Sequence, residues 1–274
     1  MSGRLIVCPT PIGNLEDVTL RVLAALRAAD LVACEDTRHT RKLLDRYGVT
    51  APLVSYHEHN ERERAGELVG KMRKGSVVAL VSDAGMPLVS DPGFILVQAC
   101  IAAGLSVEVL PGPSSALAAL VASGLPSERW RFVGFLPRKK GELAKALMGT
   151  PETLVAFESP QRLAATLALL AASDPQRPVA VCRELTKLHE EVRRGPASEL
   201  AAHYEREAAR GEVVLVVGAA PPGAGAPDAQ ERALIALRAL VDAGARARPA
   251  AKALSELTGV PANRLYRALT DSGE

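Results

Sequence analysis

The sequence predicts an α/β protein: two α/β domains followed by a small helical tail. Three observations carry that prediction. In the first half, short apolar β-type runs alternate with amphipathic helical stretches, the rhythm of a parallel sheet with helices on its faces. One run, SVVALV at residues 76–81, is apolar on both faces, as a strand buried inside such a sheet must be. The segments after three strands are crowded with Gly, Pro and small polar residues, the composition of ligand-binding loops at the carboxyl edge of an α/β sheet.

The elements follow in order. Residues 4–8 (RLIVC) form a first strand, and a helix runs over 18–29 with Val18, Val22, Leu23 and Leu26 on one face and Asp17 as its N-cap. A second strand covers 31–34 and a second helix 37–47, closed by Gly48 at the C′ position. A third strand occupies 53–56. Asn60 and Glu63 have the spacing of a capping box for a charged helix that ends before Gly75. The strand 76–81, a helix over 94–103 stopped by Gly104, and a strand over 106–110 complete the sheet. Pro113 then opens another helix at the N1 position.

A change of character near residues 124–127 bounds a first domain, 1–124, from a second, 125–220. The second carries strands at 131–136, 153–157, 179–182 and 213–217, and helices at 161–172 and 198–210. PPGAGAP at 221–227 reads as a flexible linker. The tail, 228–274, is helical. Its last part has the pattern of a helix-turn-helix, with Gly259 in the turn and Pro261 opening the second helix. That pattern serves packing or dimerisation as readily as nucleic-acid binding.

Bulk properties exclude several classes. Apolar residues make up 48% of 274, enough to bury a core, which must be built from Ala, Val and Leu because aromatics are only 3%. A net charge of +2 excludes a histone-like nucleic-acid coat but leaves room for local basic patches. Cys8, Cys34, Cys100 and Cys182 show no CxxC spacing, so they read as reduced core thiols of a cytosolic protein. No apolar stretch is long enough to span a bilayer, and the N-terminus lacks the apolar core of a signal peptide.

The three loops are PTPIGNLED after the first strand, SDAGMPLVSDPG after the fourth and PGPSS after the fifth. Together they outline a pocket for a polar small molecule. Neither GxGxxG nor a P-loop is present, so an ordinary dinucleotide or nucleoside-triphosphate site is not indicated.

TPIGNLEDVTLRVL, CEDTR, SDAGMPLVSDPG, PGPSSAL, FESPQR and RELTK, in this order from about Arg4 to Gly218, resemble the tetrapyrrole methylase superfamily. Within it the resemblance is to members that methylate the 2′ oxygen of a cytidine in the decoding region of small-subunit ribosomal RNA, which implies as partner that RNA or the assembled small ribosomal subunit. It implies two α/β domains with S-adenosylmethionine in the cleft between them, no metal, and a homodimer. It places Pro11, Asp83, Ala84, Gly85, Leu88, Ser114, Ser115, Glu158 and Leu185 at the cofactor. Asp83-Ala84-Gly85 stands where other members have Gly-Asp-Pro, a variant typical of the RNA enzymes. A small-molecule, precorrin-type methyltransferase is the alternative on the same fold. A non-enzymatic nucleic-acid module would have to rest on the tail alone.

Methyl transfer to a ribose hydroxyl needs a base, or a cation for the developing alkoxide. Asp36, beside Glu35 in CEDTR, and Lys187 and Glu190 in ELTKLHEE are the candidates, with His189 a poorer one. The plainer readings are a helix cap for Asp36 and a solvated ion pair for Lys187 and Glu190. For RNA phosphates the candidates are Arg38, Arg41 and Lys42 after CEDTR, and Arg138, Lys139 and Lys140 in a basic turn. Arg193 and Arg194 follow ELTKLHEE, and Arg162 in FESPQR reads as structural.

Overall fold

A computed structural model describes residues 3–220 and 229–270. The linker expected at 221–227 lies outside them. The chain divides into two compact units, one of residues 3–147 and 152–218, the other of 148–151 and the described residues from 219 onward.

The first unit holds two five-stranded sheets. In the first sheet β1 (Arg4–Val7), β2 (Leu31–Cys34), β3 (Leu53–Ser55), β4 (Val77–Leu80) and β5 (Ser106–Val109) are all parallel, in the order β3-β2-β4-β1-β5. The helices between them are α1 (Leu20–Ala28), α2 (Thr37–Arg46), α3 (Glu61–Arg73) and α4 (Phe94–Ala102). Alternation along the strands explains why both faces had to be apolar. Leu5, Val7, Val78 and Leu80 enter one core, while Ile6, Cys8, Ala79 and Val81 enter the other.

The second sheet is mixed, in the order β6-β7-β10-β8-β9. It comprises β6 (Trp130–Phe135), β7 (Thr153–Glu158), β8 (Pro178–Arg183), β9 (Glu191–Pro196) and β10 (Val213–Val217). On one face pack α6 (Lys140–Leu147), α7 (Leu163–Ser173) and α8 (Ala197–Arg206), with Leu143, Leu167 and Leu200 meeting Leu154, Val181 and Leu215. The other face takes α5 (Ser115–Ser123), whose Ala116, Ala119 and Leu120 pack on Val155, Ala180, Val214 and Val216. Helix α5 follows the first sheet in sequence yet covers the second, so the two sheets share one body.

Local chemistry departs from expectation at four places. The cap of α1 is Thr19, whose hydroxyl accepts from the Val22 amide, because residues 15–17 form a separate 3₁₀ turn that takes up Asp17. Asn60 precedes α3 without capping it: its carbonyl accepts from the His57 amide and its amide group donates to Ser55. Helix α5 begins at Ser115 with Ser114 as cap, two residues beyond Pro113. Strand β9 was not expected, because EVRRGP carries the charged pattern of an exposed edge strand rather than an apolar run. All four cysteines are buried and free. Burial pushes the Cys8 thiol up to about 12 and those of Cys100 and Cys182 to about 11, so these thiols are inert.

The second unit contains α9 (Ala229–Asp242), α10 (Ala247–Thr258) and α11 (Ala262–Thr270) around Leu237, Ala251, Val260 and Leu265. The turn between α10 and α11 is the one expected: Gly259 adopts φ +71° and Pro261 precedes the last helix. Among the described residues, no helix is long and apolar enough to cross a membrane.

Arg177 is a large, fully buried side chain of the first unit, and its guanidinium donates to the Gly218 carbonyl and faces Asp174 across 3.7 Å. It joins the end of β10 to the start of β8. Arg177→Ala should lower unfolding stability in urea by about 3 kcal/mol, since it leaves Asp174 without its counter-charge. An unchanged midpoint would show that the pair is dispensable.

Candidate active site

The carboxyl ends of β1, β4 and β5 meet the ends of β7 and β8 and the start of β10 around a cavity of about 320 Å³. That volume lies in the range of small-molecule sites. From the first sheet come Ile12, Ala84, Gly85, Met86, the stretch Val89-Ser90-Asp91, and Ser114 and Ser115 at the start of α5. The second sheet contributes Phe157 and Glu158, Cys182, Glu184 and Leu185, and Gly211 to Val214.

Backbone hydrogen bonds stitch the first-sheet loops together. Thr10 and Gly85 exchange both amide hydrogens, at 2.8 and 3.0 Å. The Thr10 hydroxyl donates to the Ser82 carbonyl, and the Ser82 hydroxyl donates to that of Gly85. Gly85 adopts φ +79°, and a Cβ there would lie 3.3 Å from Ile12. Its amide is already used by Thr10, so what Gly85 offers a ligand is an open wall rather than a free donor.

The two sheets touch at the same place. Gly13 abuts the loop after β8 so closely that a Cβ would lie 2.5 Å from Lys187 Cγ and 2.7 Å from Thr186 Oγ1. The next amide, of Asn14, donates to that threonine hydroxyl at 3.0 Å. Among the described residues, the non-glycine positions with positive φ are Leu88, Ser90, Glu184 and Thr186. All four lie in the two loops that border the cavity, and such strain persists where the surroundings fix a functional geometry.

Six of the nine expected cofactor residues line the cavity: Ala84, Gly85, Ser114, Ser115, Glu158 and Leu185. Pro11, Asp83 and Leu88 do not. Ile12 takes the wall position beside Pro11. The Asp83 carboxylate turns to accept the Asp36 amide at 3.1 Å, and Leu88 packs into the core below Gly93. Glu158 has a fully buried side chain; it accepts from Thr166 Oγ1 at 2.6 Å and from the Ser159 amide, and Arg162 lies 3.3 Å away. Arg162 also donates to the carbonyls of Leu136 and Pro137, which makes it the structural residue expected.

The expected catalytic residues lie just outside the wall. Asp36 caps α2, and its carboxylate takes the Arg38 amide and both ends of the Arg38 guanidinium. Those bonds hold its pKa down at about 2, which makes Asp36 a poor base. Lys187 lies 2.9 Å from Glu184 and 3.1 Å from Glu212, both on the wall. Burial opposes the ammonium, but the two carboxylates outweigh burial and raise its pKa; Lys187 is a held cation. Glu190 does not pair with it and instead accepts the Thr186 amide, bracing the loop.

Three wall carboxylates were missed. Glu184 accepts from the Glu212 amide and from Lys187, which keep its pKa low. Gly211 makes room for it, because a Cβ there would lie 2.3 Å from the Glu184 carboxyl carbon. Glu212 itself stands beside Gly211 on the wall. Asp91 is raised to about 6, by burial first, against a hydrogen bond from Ser82 and with the neighbouring charges of Glu35 and Asp83 adding to the rise. Glu184 in RELTK and Asp91 in SDAGMPLVSDPG both sit in motifs already singled out. Nothing in the sequence marks Gly211 and Glu212.

Arg38, Arg41 and Lys42 are exposed on α2, as are Arg138, Lys139 and Lys140 at the turn into α6. Arg194 is otherwise engaged: its guanidinium donates to the Ala122 and Ser123 carbonyls at the end of α5. Arg193 pairs with Glu191 at 2.9 Å. Among the described residues there is no group of three or more His, Cys, Asp and Glu placed to hold a metal ion.

A profile of the tetrapyrrole (corrin/porphyrin) methylases matches residues 4–201. A protein of Mesorhizobium japonicum named ribosomal RNA small subunit methyltransferase I is 48% identical over 272 residues, covering 97% of this chain and 91% of its own length. A protein of Escherichia coli O157:H7 with the same name is 44% identical, with 97% and 94% covered. Another, from Thermotoga maritima, is 45% identical over 217 residues, which are 98% of that protein but 78% of this chain. Among solved structures, uroporphyrin-III-C-methyltransferase of Thermus thermophilus superposes with a TM-score of 0.58 at 26% identity, covering 79% of this chain and 94% of its own.

The Asp91 environment has a consequence for stability. Its folded pKa of about 6 lies above the ordinary 3.8, so the folded state holds the proton more tightly. Below about pH 4 the group costs nothing. As pH rises from about 4 to about 6 its penalty develops, and it is complete above that. Asp91→Asn should therefore raise the urea midpoint at pH 8 and leave it unchanged at pH 4. Equal midpoint shifts at both values would mean that Asp91 is not held at a raised pKa.

Proposed function

The chain belongs to the tetrapyrrole methylase family, and on that premise we propose that it methylates small-subunit ribosomal RNA at the 2′ oxygen of a cytidine in the decoding region. It is a methyltransferase, and S-adenosylmethionine is its methyl donor. The observation that carries the RNA reading is the near-full-length likeness, at 48% identity, to a protein named as a small-subunit rRNA methyltransferase. The tetrapyrrole enzyme with a solved structure stands at 26% and shares the fold.

The cavity residues fit the cofactor. Its apolar walls (Ile12, Met86, Phe157, Val214) suit a flat base, and Ser114 and Ser115 offer hydroxyls. The carboxylates of Asp91, Glu158, Glu184 and Glu212 suit a cationic molecule. Bound there, S-adenosylmethionine supplies a methyl group already activated on a sulfonium, a reaction that asks for no metal.

The chain's own task is to orient donor and acceptor in line and to take the hydroxyl proton. Asp91 is the better base than Asp36: it is on the wall, forms no salt bridge among the described residues, and is held at about 6. Lys187 balances Glu184 and Glu212 and places positive charge near the wall, where it supports the developing alkoxide. The basic turn and the outer face of α2 receive RNA phosphates. A homodimer would cover the apolar side chains exposed on α4, Phe94 and Ile101. A ribosomal substrate supports a cytoplasmic location.

At saturating S-adenosylmethionine, Asp91→Asn should lower turnover on rRNA by a hundredfold or more, roughly the scale of a general base, beyond the loss of cofactor affinity that calorimetry shows on removing one wall charge. In the unsubstituted enzyme the rate should fall below about pH 6, and that limb should vanish in the variant. Near-normal turnover of Asp91→Asn would return the base to another group. Neutralising Arg138, Lys139 and Lys140 together should weaken rRNA binding and lower its salt slope by about 2, because each lost phosphate contact releases fewer counterions. An unaltered slope would leave those residues as ordinary solvated surface.

A further inference from the structure

The last two helices carry a run of exposed cations with almost no carboxylates among them. On the α/β unit many surface cations are paired, as Arg21 is with Glu108, Arg64 with Glu67 and Arg131 with Glu152. On α10, α11 and the residue before α10, Arg246, Arg248, Lys252, Arg264 and Arg267 are all exposed. Among the described residues none of them forms a salt bridge, and the same stretch holds a single carboxylate, Glu256. Unpaired, fully hydrated cations held on a rigid scaffold repel one another unless an anion lies against them.

The scaffold is built to hold them. Gly259, in the left-handed conformation, ends α10 with its amide on the Ser255 carbonyl, and the Pro261 carbonyl receives the Arg264 amide at 2.9 Å. Leu265 is buried against the α9 and α10 core, which turns its neighbours Asn263, Arg264 and Arg267 outward. The Arg248 guanidinium lies 5.2 Å over the Tyr266 ring and ties the start of α10 to α11.

The Thermotoga maritima relative shares 45% identity over 98% of its own length, yet matches only 78% of this chain. The family profile ends at residue 201, before α9 begins. A protein carrying the same name thus does without a region of this size, so the helical unit stands outside the chemistry common to both.

We propose that α10 and α11 form a second contact for the RNA substrate, in which Lys252, Arg264 and Arg267 bind the phosphate backbone and add affinity without taking part in methyl transfer. The inference rests on the rRNA reading given above. The unit is a phosphate clamp: it reads charge and spacing rather than bases, and it tethers RNA while the cavity acts on one ribose.

The test is a full-length Lys252→Gln/Arg264→Gln/Arg267→Gln variant, compared with the parent on in-vitro-transcribed small-subunit rRNA. The parent must first methylate that RNA, free or within small subunits, with S-adenosylmethionine; if it methylates neither, the functional reading fails before this inference is reached. The variant should then show a KM for RNA raised about tenfold at moderate salt, with kcat and cofactor affinity unchanged. The slope of log affinity against log salt should fall by about 2, at roughly 0.7 to 0.9 per phosphate contact. Arg264→Lys/Arg267→Lys should keep the parent slope, because lysine retains the charge. A variant with parental KM and slope overturns the proposal. So does one that binds naked rRNA normally but loses affinity for assembled small subunits, which would make the surface a protein contact. A fall in kcat at saturating RNA overturns it as well, by placing the unit in the chemistry.

Discussion

The site depends on the bare backbone at Gly13. The loop after β1 meets the loop after β8 where the Gly13 α-hydrogens face Lys187 and Thr186, and there is no space for even a methyl group. The Asn14 amide completes the contact through the Thr186 hydroxyl. This seam brings the carboxyl edge of the first sheet against that of the second, so one cavity can draw its walls from both. The exchanged hydrogen bonds of Thr10 and Gly85 carry the constraint on to the loop after β4. Residues far apart in sequence, such as Ser90 and Glu184, are thereby held in strained conformations on facing walls.

The electrostatics of the cavity follow from the same geometry. The wall is rich in carboxylates, and its cation, Lys187, sits one layer back between Glu184 and Glu212. A positively charged donor is attracted to such a wall, whereas an anionic cofactor would be repelled. Within the wall the carboxylates differ. Glu184 is fixed in its charged form by a backbone amide and an ammonium, while Asp91 has burial and like charges against it. Environments that push two carboxyls in opposite directions divide the work between a fixed charge and a group that can exchange a proton.

The parallel first sheet, most strands of the second and the helical tail with its turn at Gly259 were legible because they rest on local physics. Strands apolar on both faces announced burial, and glycines such as Gly48 and Gly259 announced helix ends. The motifs led to most of the cavity wall, since a loop at the carboxyl end of a strand has few places to go. Strand β9 escaped because an edge strand pairs through its backbone and lets its side chains stay charged.

By itself, then, the sequence determined the elements other than β9, the loops that form a pocket and the family to which the chain belongs. The tertiary structure decided which side chains within those loops face the cavity. Asp36 and Asp91 are both carboxylates in a ligand-binding loop, and nothing in their spacing separates them. One is turned onto Arg38 as a helix cap, and the other is enclosed in the wall beside Ser82. That choice belongs to residues distant in the chain, because burial and neighbouring charge are properties of the packed fold rather than of any segment of it.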